Sequence, residues 1–208
     1  MKESRKTIPK RSDATTEPVQ RPRVAERPAS SHLDRTAAMR RLSDFEFRME
    51  RLAQAYYRWK AACFSAVCSV ALSGDDVAVL NVVRMGDEPK RLSEIGQLLN
   101  RVDVPNLQYA TRKLVKAGLI ETEGKPSRKE TRYRTTDAGR EITDAYATLR
   151  GATLPPLFDA LEEGVRDLEK MSVQMDLFAS LYGQAAQVAL SQRCLPTEHL
   201  VHEDLELR

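Results

Sequence analysis

Five residues in one short stretch carry groups suited to reading nucleic acid: Asn106, Gln108, Tyr109, Arg112 and Lys113. Between Val104 and Ala117, the apolar Leu107, Ala110 and Leu114 recur at helical spacing and form an inner side. The five polar residues then project from the other faces. Asn and Gln match the donor–acceptor edge of adenine, and Arg matches guanine or a phosphate. A second group follows, Lys125, Arg128 and Lys129, three cations within residues 125–129. A basic turn that short can reach a minor groove or the flanking phosphates. Ordinary solvated helices and turns contain the same residue types. The nucleic-acid reading therefore rests on the polar helix, the basic tip and an uneven charge distribution taken together.

Other chemistries find little support. His32, His199 and His202 all fall in the tails. His199-x-x-His202 with Glu198 and Glu203 has metal-ligand types, but a tail is a poor site, and neither metal nor cofactor is expected. The chain has no HExxH, GxSxG or GxGxxG motif, and Gly124-Lys125 lacks the upstream glycine of a phosphate loop. The expectation is a protein without enzymatic activity. Three cysteines with no CxxC argue against a disulfide framework or a zinc ribbon and point to a reducing, cytoplasmic setting. Cys63 and Cys68, five residues apart, do not face each other on a helix. Only Lys60 lies near to lower a thiol pKa, so both read as small hydrophobes and peroxide should leave DNA affinity unchanged. No apolar run approaches the ~20 residues of a membrane span, and residues 1–20 lack a secretory apolar region.

The net charge of +3, from 33 basic and 30 acidic residues, conceals the distribution. Residues 1–31 carry +4, residues 104–134 carry +5, and residues 151–208 carry −6. A basic middle beside an acidic end suits a polyanion-binding surface with another task elsewhere.

The elements that must hold these groups are legible in outline. Residues 1–31 hold Pro9, Pro18, Pro22 and Pro28 with few large apolar residues, and read as a disordered basic arm. Ser43 and Glu46 form an S-x-x-E pattern that predicts a helix start, preceded by a shorter turn over residues 33–42. Phe45, Met49, Leu52, Tyr56, Trp59 and Cys63 then follow at alternating spacings of four and three, an a/d seam. A second such seam runs through Leu168, Met171, Met175, Phe178, Tyr182, Ala185 and Ala189. Between them, Ser73 and Asp76 cap a helix, Gly86 to Pro89 breaks it, and Ser93-Glu94 starts a short helix. Asp103 is the N-cap candidate for the next helix, with Pro105 in its first turn and Gly118 after its end. Residues 119–123 and 131–135 alternate about Gly124-Lys-Pro-Ser and predict a β-hairpin. Thr136-Asp137 starts a helix to about Arg150, and Pro155-Pro156 with Gly164 separates it from the last helix.

That order predicts a mostly α fold with a small β-wing: a winged helix-turn-helix over residues 73–150. Dimerisation helices flank it at 32–72 and 151–195, with an acidic tail at 196–208. One winged helix reads only a few base pairs, and a two-fold dimer reads two half-sites. The two seams, represented by Phe45, Met49, Leu52, Met175, Phe178 and Tyr182, supply apolar surface for that dimer. Tyr56, Tyr57 and Trp59, with Phe64, form an aromatic cluster that could line a gap for a phenolic ligand.

Leu114-Val-Lys-Ala-Gly-Leu-Ile-Glu121, then Arg128-Lys129, then Tyr133-Arg-Thr-Thr-Asp-Ala-Gly139, resemble the multiple-antibiotic-resistance regulator (MarR) family of winged-helix transcription factors. Leu72-Ser73 through Val82 resembles that family's second helix. The resemblance covers roughly residues 43–190 and implies a homodimer on double-stranded, pseudo-palindromic operator DNA. It further implies a repressor, often released by a small aromatic ligand or an oxidant. By position it assigns Pro105, Asn106, Gln108, Tyr109 and Arg112 to base and phosphate contacts, and Arg128 to the wing arginine. Ser127 stands where the family's wing usually has Asp, and Pro105 and Tyr109 replace small or basic residues. The alternative is a winged helix that binds another protein; such a module would have no use for Lys125, Arg128 and Lys129 beside Arg112.

Overall fold

The structure is a computed structural model, and it describes residues 31–124, 131–161 and 167–192. The chain divides into two compact units, residues 1–154 and 155–208. Six helices and three strands are formed in these residues: α1 (Ala37–Val67), α2 (Gly74–Arg84), β1 (Lys90–Arg91), α3 (Leu92–Leu98), α4 (Val104–Lys116), β2 (Ile120–Glu123), β3 (Arg132–Thr135), α5 (Asp137–Asp159) and α6 (Leu168–Gln192). The expected mostly helical architecture with a small wing is present.

The core of the first unit is a single apolar cluster. Phe64 from α1 meets Val77, Leu80 and Val83 from α2, Ile95 from α3, Leu107 and Leu114 from α4, Ile120 from β2 and Tyr146 from α5. Phe64, Val77, Leu80, Ile95 and Leu114 are shielded completely from solvent. Burying side chains of that size stabilises by roughly 1.5–3 kcal/mol each, which is what anchors the short elements.

Each short element ends for an identifiable reason. At the start of α2 the Asp76 N–H donates to Ser73 Oγ at 3.2 Å, and the Ser73 N–H donates to Asp76 Oδ2 at 2.9 Å. This is the reciprocal cap its sequence announces. α3 and α4 both end in a Schellman turn. After α4, Gly118 (φ +70°) donates to Val115 O, and Leu119 N–H donates to Leu114 O at 3.1 Å. After α3, Asn100 takes the left-handed position (φ 52°), and Arg101 N–H donates to Gly96 O at 2.8 Å. The second turn fixes the approach to α4.

Strand order is β1-β3-β2, all antiparallel. Glu121 lies opposite Arg134, and their side chains pair at 2.8 Å. Strand β1 is an addition to the expected hairpin. Two residues are too few to show a period, and Lys90 and Arg91 join the sheet only by pairing with Tyr133 and Arg132.

Three expectations about boundaries are corrected. α1 begins at Ala37, where Thr36 Oγ1 accepts the Met39 N–H, so Ser43 and Glu46 lie inside the helix and form no cap. Ser43 Oγ donates instead to Met39 O at 2.9 Å. α3 begins at Leu92, one residue before Ser93, because Arg91 leaves the sheet straight into the helix. Pro155 and Pro156 do not end α5, which passes through both. The carbonyls they leave unpaired lie on exposed Gly151 and Ala152, where water can satisfy them.

In the second unit, no described residue of α6 is buried. Val173, Leu177 and Val188 are each more than half exposed. No helix is long and apolar enough to cross a membrane among the described residues.

Candidate nucleic-acid interface

α4 separates by face as its sequence predicts. Leu107, Ala110, Thr111 and Leu114 are buried against the rest of the unit, while Pro105, Asn106, Tyr109 and Arg112 are exposed. Tyr109 is 64% exposed, an unusual position for an aromatic ring with nothing to cover it. Gln108 is half-buried and lines two depressions. One, of about 190 Å³, lies between α4 and the sheet and is lined by Leu92, Gln108, Arg112, Thr131 and Tyr133. The other, of about 700 Å³, is open and runs between α3 and α4, lined in part by Arg91, Ser93, Gln97, Asn100 and Gln108. Arg112 Nε donates to Gln108 O at 3.2 Å, which directs the guanidinium along the exposed face.

Lys113 differs from its neighbours. Its Nζ lies 2.6 Å from Asp76 Oδ2 at the start of α2. Asp76 is almost wholly buried, and burial alone would raise its pKa. The hydrogen bonds from Lys113 and Ser73 outweigh burial and hold the carboxyl below its ordinary range. The adjacent Asp75 lies 3.4 Å from Arg101, whose guanidinium also pairs with Asp103 at 2.6 Å. Two consecutive carboxylates of α2 thus hold α4 through Lys113 and the loop that leads into it through Arg101.

Sequence reasoning gave Asp76 and Asp103 capping roles only. The Lys113–Asp76 and Arg101–Asp75 pairs join residues 37 and 26 positions apart, and no local pattern marks them. Of the basic tip, Lys125, Arg128 and Lys129 lie outside the described residues, as does Ser127.

Tyr56, Tyr57 and Trp59 are brought together on α1. The Tyr56 and Trp59 rings stack at 6.1 Å, and the Tyr56 and Tyr57 rings meet edge-on at 5.9 Å. Trp59 also meets Tyr146 at 6.2 Å, a partner from α5 that the sequence did not disclose. Lys60 Nζ sits over the Tyr56 and Tyr57 rings at 4.8 and 5.0 Å, in cation–π contact. Lys60 is buried, and that burial lowers its pKa against the opposing pull of Asp75. Phe64 belongs to the core and not to this surface. Cys63 and Cys68 are buried free thiols. Of the residues assigned to a dimer face, Met49, Leu52 and Met175 are exposed, and Phe178 is 37% exposed. Phe45 and Tyr182 are half-buried.

Residues 72–139 match the family described as a winged helix DNA-binding domain. The segment is a winged helix. The match spans α2 through the first turn of α5 and so contains both halves of the helix-turn-helix and the wing. Solved structures extend the likeness beyond the winged helix. A MarR family regulator from Neisseria meningitidis superposes with a TM-score of 0.57 at 15% identity, covering 72% of this chain and 98% of that one. A mutant MarR from E. coli, complexed with operator DNA, superposes at 0.54 with 19% identity, covering 71% and 99%. A MarR family transcriptional regulator from Streptomyces coelicolor superposes at 0.51 with 19% identity, covering 72% and 95%. No curated protein sequence matches the chain. The chain therefore has the fold of the MarR regulators, as its residues suggested.

Proposed function

We propose that the protein is a MarR-type transcriptional regulator that binds a pseudo-palindromic operator as a homodimer in the cytoplasm and represses from it. The observation that carries this reading is α4 itself. Its inner face is sealed into the core, while Pro105, Asn106, Tyr109 and Arg112 remain uncovered on a helix that the fold presents outward. Asn106 and Arg112 are base- and phosphate-matching types, and Gln108 stands between them. The +5 charge of residues 104–134 supplies the sequence-independent attraction. Lys125, Arg128 and Lys129 add a wing contact to the backbone or minor groove, and Lys113 contributes by fixing α4.

The dimer rests on apolar surface left exposed. Leu52 on α1, and Val173, Met175 and Leu177 on α6, have no reason to face water in a lone subunit. Phe45, Met49, Phe178 and Tyr182 extend the same two helices. Domain roles follow: 32–72 and 151–195 dimerise, and 73–150 reads DNA. The effector is a small aromatic compound held at Tyr56, Tyr57 and Trp59, where two exposed tyrosine rings lie against the buried Lys60 ammonium and Trp59 stacks on Tyr56.

Selection of bound duplexes from a random pool tests the function. It should return a two-fold-symmetric motif, and Arg112→Ala should relax one position of that motif or weaken binding uniformly, according to whether Arg112 meets a base or a phosphate. Recovery of no motif, with tight capture of a protein partner instead, would establish the protein-binding alternative. Titration of aromatic acids into the DNA complex tests the effector; no release across a broad panel would remove it.

A further inference from the structure

Asp103 occupies the N-cap position of α4, yet its carboxylate caps nothing. An Asp at that position ordinarily turns its side chain to the first free backbone N–H groups of the helix. Here the Asp103 backbone carbonyl takes the N–H groups of Asn106 and Leu107, at 3.1 and 3.2 Å. The carboxylate faces the other way. Oδ1 accepts from Arg101 Nε at 2.9 Å and Oδ2 accepts from Arg101 Nη2 at 2.6 Å, a two-pronged guanidinium–carboxylate pair. The same Oδ2 accepts from Asn106 Nδ2 at 3.0 Å. Arg101 is itself fixed by the Schellman turn after α3 and by Asp75 of α2 at 3.4 Å. A relay Asp75–Arg101–Asp103–Asn106 thus runs from the body of the domain to an exposed side chain on the first turn of α4.

The relay has a chemical consequence. The Arg101 and Asn106 hydrogen bonds hold the Asp103 carboxyl well below the usual carboxylate range, so it stays ionised. An ionised carboxylate only accepts hydrogen bonds, so Asn106 must turn its NH2 group toward it. The Asn106 carbonyl oxygen then faces outward as an acceptor. An asparagine without this constraint could present either end of its amide.

We propose that Asp103 is a specificity-determining positioning residue: by fixing the Asn106 amide it makes that side chain read an exocyclic amino group on the DNA. The inference rests on the DNA-binding function proposed above. In the major groove adenine and cytosine offer an amino donor, whereas guanine and thymine offer only acceptors beside the thymine methyl. Asn106 therefore selects adenine or cytosine at its position in each half-site. Asp103 does not touch the DNA; it acts through Asn106.

The test is selection from a random duplex pool by the full chain and by variants, with far-ultraviolet circular dichroism to establish that each is folded. Asp103→Ser can still cap α4 but is too short to hold Asn106, and should leave one column per half-site degenerate, with about a tenfold loss of preference for adenine or cytosine and the other columns intact. Asp103→Asn keeps a single oxygen, which the two donors at the Oδ2 position, Arg101 Nη2 and Asn106 Nδ2, hold in place, so its NH2 turns to Arg101 Nε and the wild-type column should persist. Asn106→Ala should erase the same column, and adding Asp103→Ser to it should change nothing further. The inference is overturned if Asp103→Ser selects the wild-type motif, or if it weakens every column alike, as a purely structural role would. A wild-type protein that selects no motif at all would remove the DNA-binding function itself, a result distinct from either.

Discussion

At the scale of single residues, the pair between Lys113 and Asp76 decides how firmly α4 is held. Removing the ammonium leaves a buried carboxylate with only its Ser73 bonds. Lys113→Met should therefore destabilise the domain by about 1–3 kcal/mol, read from urea denaturation midpoints. Asp76 has a native pKa below its unfolded value, so its contribution is complete above about pH 4 and fades as pH falls through the lower native value. Asp76→Asn should flatten the acid limb of the stability curve; an unchanged acid limb would contradict this. Tyr146 behaves in the opposite sense. Burial pushes its phenol up to about 12, so its contribution is present below pH 10 and is lost as pH rises toward 12. Tyr146→Phe should remove the highest-pH step of the phenolate absorbance titration. The outward types of Asn106 and Arg112 were legible because face and chemistry are both local properties. Asp76 as the partner of Lys113, Asp75 as that of Arg101 and Tyr146 as that of Trp59 were not, because each lies on another element and is chosen by tertiary packing.

At the scale of elements, close backbone approaches tie the helices together. A Cβ on Gly74 would lie 2.5 Å from Tyr57 Cδ1 and 2.7 Å from Tyr57 O, where α2 begins against α1. A Cβ on Gly139 would lie 1.9 Å from Leu119 O, where α5 begins against the turn between α4 and β2. At Gly139 the nearest obstacle is backbone, which cannot rotate aside, whereas at Gly74 a ring atom of Tyr57 stands in front of its backbone carbonyl. Gly139→Ala should cost at least the 1–3 kcal/mol usual for overpacking, and more than Gly74→Ala; equal, negligible losses in thermal denaturation would contradict the packing described. Helix order, both wing strands and the α2 cap were readable from periodicity, turn residues and the Ser73–Asp76 spacing. The start of α1 was misplaced because Ser43 has the residue type of a cap but bonds back to Met39 inside a longer helix. The division at Pro155-Pro156 failed for a related reason: proline forbids one hydrogen bond, and an exposed helix can lose it to water without ending.

At the scale of the whole molecule, charge and exposed apolar surface carry the functional account. The basic stretch of residues 104–134 contains α4, while the −6 of residues 151–208 is shared between the region assigned to dimerisation and the acidic tail. Light scattering at micromolar concentration should give twice the 23.5 kDa chain mass. Met175→Asp on α6 should shift that value toward the monomer and weaken operator binding, since one winged helix alone reads too few base pairs. A monomer that still binds DNA tightly would contradict the dimer.

Sequence-specific DNA reading by α4 of the winged helix is measured by a fluorescence anisotropy titration. The selected operator duplex and a scrambled duplex of equal length are titrated at several salt concentrations. Affinity for the operator should be at least ~10³-fold tighter than for the scrambled duplex near physiological salt. Log affinity should fall steeply with log salt for both. Equal affinity for the two duplexes, or a flat salt dependence, would contradict sequence-specific reading by α4.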